Sequence, residues 1–272
     1  MPRGKCALLL LRLLVCYLSV VQRKQRLNQI VSAVVDHVQV DVATLAERFA
    51  VSEATIRRDL QLLERQQLVS RTHGGATIHV AFNDVPLGYK TSQESAEKRR
   101  IARAALAFLD GARVIGMTGG TTVFEFARLL PGRSGLTAVT NALNVATSLV
   151  SSPGLRVFAA GGEVRASSQE TVGPSAEAFL ADYHIDVSFI GVDAVDPVAG
   201  FTNYDPIGAR VNGVLCQRSR VNVVLADATK LGRTALAGVC TIRDVDVLVT
   251  DTRASQAVVA EIERQGCRVV RA

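Results

Sequence analysis

A chain of 272 residues is long enough for a small module beside one large core, so two domains are expected. The net charge of +6 looks like a nucleic-acid signature. But Arg3, Lys5, Arg12, Arg23, Lys24 and Arg26 stand in the first 26 residues without an acid, leaving 25 basic against 25 acidic residues elsewhere, so global charge is excluded as an argument.

Residues 1–22 read as an apolar and basic extension. Ala7 to Val21, after a Met-Pro-Arg-Gly-Lys start, imitates a signal peptide. Fifteen residues interrupted by Arg12 are too short and too costly for a comfortable membrane span, and no convincing cleavage site follows. A start site placed too early, with Val20 or Val21 as the true first residue, is the preferred reading. A disordered or helix-lengthening tail and a membrane anchor are the alternatives.

Residues 23–79 read as a winged helix-turn-helix. Leu27, Ile30, Val31, Val34, Val35 and Val38 are spaced as one apolar face of a helix. A second helix, Val42 to Phe49, turns Leu45, Ala46 and Phe49 inward. After the tight Ala50-Val51-Ser52 connection, Ser52 caps a third helix running to about Gln66. Ile56, Leu60 and Leu63 lock that helix onto the first two, leaving Ser52, Thr55, Arg57 and Arg58 outward. Leu68 to Ile78 alternates around a Gly74-Gly75 turn, as a β-hairpin wing would. Each piece alone suits any three-helix domain with a solvated Arg pair; only the combination reads as a module for double-stranded DNA. Neighbouring helical residues point about 100° apart, so one of Arg57 and Arg58 is expected on a base edge and the other on phosphate. Arg71 and His73 would reach the adjoining DNA backbone. Residues 27–79 carry five Arg against six acids, so contact must come from a local patch in two copies of the module.

Residues 80–94, with Pro86 and Gly88 and neither periodicity, read as a linker. Residues 95–272 alternate helical patterns with aliphatic runs. The runs are Ala112–Met117, Leu136–Thr140, Leu155–Ala160, Val187–Val192, Val221–Ala226, Val245–Thr250 and Cys267–Val270. This indicates an α/β domain with a mostly parallel sheet, in which ligands sit at the carboxyl ends of strands. Those ends collect Thr118-Gly119-Gly120-Thr121-Thr122, Thr140-Asn141, Gly161-Gly162, Asp193 and Asp227, with Lys230 close behind as a candidate cation. Each could be a plain βα turn; five on one edge point to a shared site. Glycines followed by Thr at a helix start suit an anion. No P-loop or dinucleotide fingerprint is present, so a small phosphorylated metabolite fits better than a nucleotide. The five cysteines and four histidines lack metal-ligand spacing, so neither metal nor cofactor is expected, and the thiols read as reduced.

With these residues in hand, the chain from Arg26 to Val270 resembles the DeoR family of bacterial transcriptional repressors. The matches are Ser52-x-x-Thr-Ile-Arg-Arg-Asp-Leu60, Arg71-Thr-His-Gly-Gly-Ala76, Gly119-Gly-Thr-Thr122, Thr140-Asn141, Gly161-Gly162, Gly191-x-Asp193 and Leu225-Ala-Asp-x-x-Lys-x-Gly232. The resemblance implies a sensor domain like that of phosphosugar isomerases, and repression of a sugar, polyol or nucleoside catabolic operon relieved by a phosphorylated sugar. It implies that Arg57 and Arg58 lie on the recognition helix and Gly120, Thr121 and Thr122 on the phosphate loop. Asn141, Asp193, Asp227 and Lys230 fall on other positions of the ligand site. Two departures stand out. Thr118-Gly119 stands where the family often has an acid or Ser before Gly-Thr-Thr. Tyr204-Asp-Pro-Ile-Gly-Ala209 and Asn212 stand where relatives tend to carry acidic residues and then Ala-x-x-Lys. A rewired or ligand-insensitive sensor is therefore an open alternative.

A cytoplasmic homodimer or homotetramer, without catalytic residues, is the leading expectation. The runner-up is a phosphosugar isomerase with an appended DNA-binding module, its general base Asp193 or Asp227, less readily Glu170. A membrane-tethered regulator would rest on Ala7–Val21 alone.

Overall fold

The computed structural model describes residues 23, 26–27, 29–31, 33–34, 39–65, 68–78 and 94–272. The expected extension 1–22, the helix end at 35–38 and linker residues 80–93 lie outside them. The chain divides into two compact units, Met1–Gln93 and Glu94–Ala272.

In the first unit Leu27, Ile30, Val31 and Val34 are helical and buried, as one apolar face requires. They pack with Leu45 of helix α1 (Val42–Arg48) and with Ile56, Leu60 and Leu63 of helix α2 (Glu53–Arg65). Ser52 caps α2 as expected, its Oγ accepting from the Thr55 N–H at 3.2 Å. The wing has one more strand than periodicity shows. β1 (Gln39–Asp41), β2 (Val69–Arg71) and β3 (Gly75–Ile78) form an antiparallel sheet in the order β1-β3-β2. The turn also sits earlier than read. Thr72 N–H donates to the Gly75 carbonyl at 3.0 Å, and Gly75 itself lies in β3, paired with Asp41. A Cβ on Gly75 would stand 1.9 Å from the Val40 carbonyl oxygen, so glycine here admits β1 rather than making the turn.

In the second unit every aliphatic run becomes a strand. The strands are β4 (Val114–Met117), β5 (Leu136–Thr140), β6 (Leu155–Ala159), β9 (Ile185–Gly191), β12 (Ser219–Leu225), β14 (Val247–Thr250) and β15 (Arg268–Arg271). They form one seven-stranded sheet, order β15-β14-β12-β9-β4-β5-β6, and every pairing is parallel. Strand side chains alternate, so the continuous runs supply two cores at once. Ile115, Met117, Phe189, Val223 and Val249 pack with Ile101, Phe126 and Leu149 from helices α3 (Ser95–Ala105), α4 (Thr121–Ala127) and α5 (Leu143–Leu149). Ile190, Val224 and Leu248 pack with Leu180, Leu215 and Ile262 from helices α6 (Pro174–Ala181), α7 (Pro206–Gln217) and α8 (Gln256–Arg264).

Chain order fixes where a ligand can sit. From β4 the chain winds outward through β5 to β6, then returns to place β9 on the other side of β4 and continues to β12, β14 and β15. The β4/β9 junction is therefore the topological switch point, the place at which sheets of this kind bind ligands. Two small accessories were not foreseen. One is the hairpin β7 (Glu163–Arg165)–β8 (Glu170–Val172), and the other the three-stranded sheet of β10 (Ala194–Asp196), β11 (Gly200–Asn203) and β13 (Ala237–Cys240). Cys216, Cys240 and Cys267 are free thiols at the second core. A hydrogen bond with Cys216 and then burial push Cys240 up, and burial pushes Cys267 up to about 12.

Candidate DNA-reading face and effector site

Helix α2 buries Ile56, Leu60 and Leu63 and exposes Arg57, Arg58 and Gln61. Gln61 lies one turn on from the arginines, an exposed amide that sequence reasoning passed over. The arginines differ in what already holds them. Arg57 Nη2 is 2.6 Å from Glu53 Oε2, whereas Arg58 makes no ion pair among the described residues. Ser52 and Thr55 hydroxyls lie 2.9 Å apart, so both serve the cap as well as any DNA contact. Arg71 and His73 are exposed on the wing, with Arg71 Nη1 3.7 Å from Glu64.

Asp59 lies beside these arginines in sequence but is buried, its side chain 2% exposed. It accepts from Arg26 Nε at 2.7 Å and Arg23 Nε at 3.2 Å. Two of the basic residues counted with the N-terminal excess therefore neutralise a buried acid and tie the first helix to α2. Charge counting alone could not assign them that role.

At the switch point, Thr118 Oγ1 accepts from the Gly191 N–H at 2.9 Å, and Thr118 N–H donates to the Phe189 carbonyl at 3.2 Å. This sutures the ends of β4 and β9. Gly120, at φ 102°, turns the chain into α4, where Thr121 and Thr122 are 9% and 7% exposed. Gly119 faces the other way, because its N–H donates to Glu170 Oε1 at 2.9 Å. A Cβ on Gly119 would stand 2.5 Å from the Glu170 carboxyl carbon, so a larger residue here would push that carboxyl aside.

Glu170 is the feature that sequence reasoning undervalued. It opens β8, directly after Gln169 at φ 58°, and the hairpin lays it across the ends of β4 and β5. Burial pushes its carboxyl above the ordinary carboxylate range, against the opposing Gly119 N–H. Asn141 is 2% exposed and clamped to the same hairpin; its Nδ2 donates to the Thr171 carbonyl at 3.1 Å and lies 3.4 Å from Glu170 Oε1. Asn212 on α7 donates through Nδ2 to the Gly191 carbonyl at 3.3 Å. The departure segment Tyr204–Ala209 starts that helix. Asp205 Oδ1 accepts from the Gly208 N–H at 2.8 Å, Pro206 occupies the first turn, and Arg165 of the hairpin pairs with Asp205 at 3.1 Å. Among the described residues, Asn141 Oδ1, Asn212 Oδ1 and both amide atoms of Asn144 are buried without a hydrogen-bond partner.

The remaining expected site residues fall into two groups. Asp193 and Asp227 follow β9 and β12, which are neighbours (Leu225 against Gly191). Their carboxylates serve local backbone. Asp193 Oδ2 accepts from the Tyr204 N–H at 3.2 Å, and Asp227 Oδ1 from the Thr229 N–H at 3.1 Å, in the short turn that carries Lys230. Gly162 sits instead beside the start of α6; its Cβ would lie 3.2 Å from the Val172 carbonyl oxygen. From the Asp227 turn a chain of ions runs outward. Asp251, fully buried at the end of β14, accepts from the Ala228 N–H at 2.7 Å and from Arg253 Nε at 2.8 Å. Arg253 also pairs with Glu94, the first residue of the second unit.

Among the described residues no group of His, Cys, Asp and Glu could hold a metal ion, and no helix is long and apolar enough to cross a membrane. Two family models match the chain. One, described as a DeoR-like helix-turn-helix domain, covers residues 26–80; the other, the DeoR C terminal sensor domain, covers residues 93–252. The glycerol-3-phosphate regulon repressor of Escherichia coli K12 is 31% identical over 230 residues, 85% of this chain and 91% of that protein. The HTH-type transcriptional regulator GlpR of Haloferax volcanii is 32% identical over 250 residues, 92% and 96% of the two chains. Among solved structures, ribose 5-phosphate isomerase A from Methanocaldococcus jannaschii overlaps with a TM-score of 0.39 at 17% identity, over 51% of this chain and 55% of that one. That overlap is too small to bear on function.

Proposed function

This chain belongs to the DeoR family of helix-turn-helix transcriptional regulators, and from that premise we propose that it represses a sugar, polyol or nucleoside catabolic operon and is released by a phosphorylated sugar. It is a regulator and not an enzyme, like the repressors it is similar to. One observation carries the effector half of the reading: Gly120, Thr121 and Thr122 follow β4 at the switch point of a parallel sheet, where small ligands bind, and Glu170 links the preceding Gly119 to Asn141 at the end of the next strand. The phosphate would take the Gly120–Thr122 amides and hydroxyls, with Lys230 as a cation from the neighbouring strand end. Gly119 and Gly162 would shape the loops, and Asp193 and Asp227 would hold the turns around the ligand.

Ser52, Thr55, Arg57, Arg58, Arg71 and His73 would contact DNA, two modules of a cytoplasmic homodimer or homotetramer meeting two half-sites. Release would be linkage, the ligand favouring a sensor state whose recognition helices are misplaced. The route from Asp227's turn through Asp251 and Arg253 to Glu94 supports this, because it joins the effector site to the residue where the linker enters.

The test is fluorescence anisotropy on duplex DNA from the gene's upstream region at fixed salt, with a panel of phosphorylated sugars. Specific binding reversed by one of them is the expected result. Specific binding that none of them alters would remove the effector half of the proposal.

A further inference from the structure

The switch point holds more than an anion cradle. Glu170, Asn141 and Asn212 are 8%, 2% and 4% exposed, and they lie on three different elements: β8, the end of β5, and α7. They are linked through the backbone of β4 and β9. Asn141 Nδ2 lies 3.4 Å from Glu170 Oε1, and Glu170 accepts from Gly119. Gly191, sutured to Thr118, accepts from Asn212. Asn141 Nδ2 donates to the Thr171 carbonyl and Asn212 Nδ2 to the Gly191 carbonyl, and each Asn keeps its oxygen without a partner among the described residues. Buried acceptors are ordinarily satisfied, so two open ones, on the Asn beside the Glu170 carboxyl and on the Asn bonded to Gly191, mark a place built for donors. A phosphate dianion carries no donor, and a carboxylate beside it would repel it.

Resting on the phosphosugar reading above, we propose that Glu170, Asn141 and Asn212 form a donor-selective subsite that reads the hydroxyl end of the effector, separate from the Gly120–Thr122 phosphate cradle. The sensor then discriminates by hydroxyl pattern: a ligand with phosphate alone makes half the contacts, and a polyhydroxylated one makes both sets. The position of Asn212 follows from the same logic. A neutral amide can anchor to Gly191 and still offer an acceptor, which a cationic side chain cannot.

Calorimetric titration of the full chain tests this, using inorganic phosphate and a series of pentose and hexose phosphates with matched deoxy sugar phosphates. The expected result is that one sugar phosphate binds wild type at least tenfold tighter than inorganic phosphate. Glu170→Gln and Asn212→Ala should each cut that ratio about tenfold while leaving phosphate affinity equal or higher. A purely structural role would weaken both ligands together. If Glu170→Gln does not fold, Asn212→Ala carries the test. A ratio unchanged in the variants, with wild type still preferring the sugar phosphate, would overturn the subsite and leave the effector reading standing. No binding of any phosphorylated probe to wild type would overturn both. Deoxy analogues that match their parents would overturn hydroxyl reading specifically.

Discussion

Arg57 and Arg58 are adjacent, exposed and unequal. Arg57 must leave Glu53 before it can meet DNA, whereas Arg58 gives up no ion pair among the described residues. An exposed pair contributes roughly 0–1 kcal/mol, so the difference is a bias and not a block. Arg57→Ala and Arg58→Ala are each expected to weaken operator binding by about 1–3 kcal/mol, Arg58→Ala more. Titration across salt separates their roles, since losing a phosphate contact lowers the log–log salt slope by about 1 and losing a base contact does not. Unchanged operator affinity in both variants would sink this recognition face. At the amino ends of β9 and β4 in the second unit, Asp186 accepts from the Val114 N–H at 2.9 Å and the Arg113 N–H at 2.8 Å. Those bonds hold its carboxyl below 3.8, the Val114 N–H contributing most. A depressed folded pKa contributes stability that is present above about 3.8 and lost as pH falls through the folded value. Asp186→Asn should therefore cost roughly 1–3 kcal/mol at neutral pH and nothing once wild-type Asp186 is protonated, as unfolding curves across pH would show. At this scale the sequence was uneven. Arg57 and Arg58 could be found from one helix pattern. The place of Glu170, named from sequence only as a less ready base, could not, because its partner Gly119 lies 51 positions away and no local spacing marks the pair.

Among elements, the long aliphatic strands were readable because a strand buried on both faces needs an unbroken apolar run. Leu136–Thr140 matches its run residue for residue. The strands that escaped, such as β1, β7 and β10, are three residues each and take their meaning from a partner. Val40 is the only buried residue of β1, and one position has no period. β1 nonetheless imposes a demand that can be measured. Gly75→Ala would drive a Cβ into the Val40 carbonyl, so β1 and the wing cannot both keep their places. The expected cost is about 3 kcal/mol or more in the first unit, with operator affinity lost as the wing shifts. Circular dichroism melts beside anisotropy would check it. A variant as stable as wild type would mean that β1 does not pair with β3 in solution.

Among the described residues, the first unit has one hydrophobic core and the second has two of its own. Scanning calorimetry of the full chain should resolve two transitions. An effector at a hundredfold its Kd should raise chiefly the sensor's stability, by about 2.7 kcal/mol, and operator DNA chiefly the other unit's. One transition moved by both ligands would contradict this. The parallel sheet has a further consequence, in time and not in space. The inner strand β4 pairs with the central strand β9 across a long stretch of chain, Ile115 against Val187, whereas the first unit closes its sheet between Gln39 and Ile78. Such distant parallel pairing is slow to form, and it cannot begin until the ribosome has released β9. The DNA-reading unit is thus finished while its sensor is still unmade. On the proposed reading, a newborn chain would carry its DNA-reading face before the domain that answers the effector, and a chain cut short after the first unit would lack that domain.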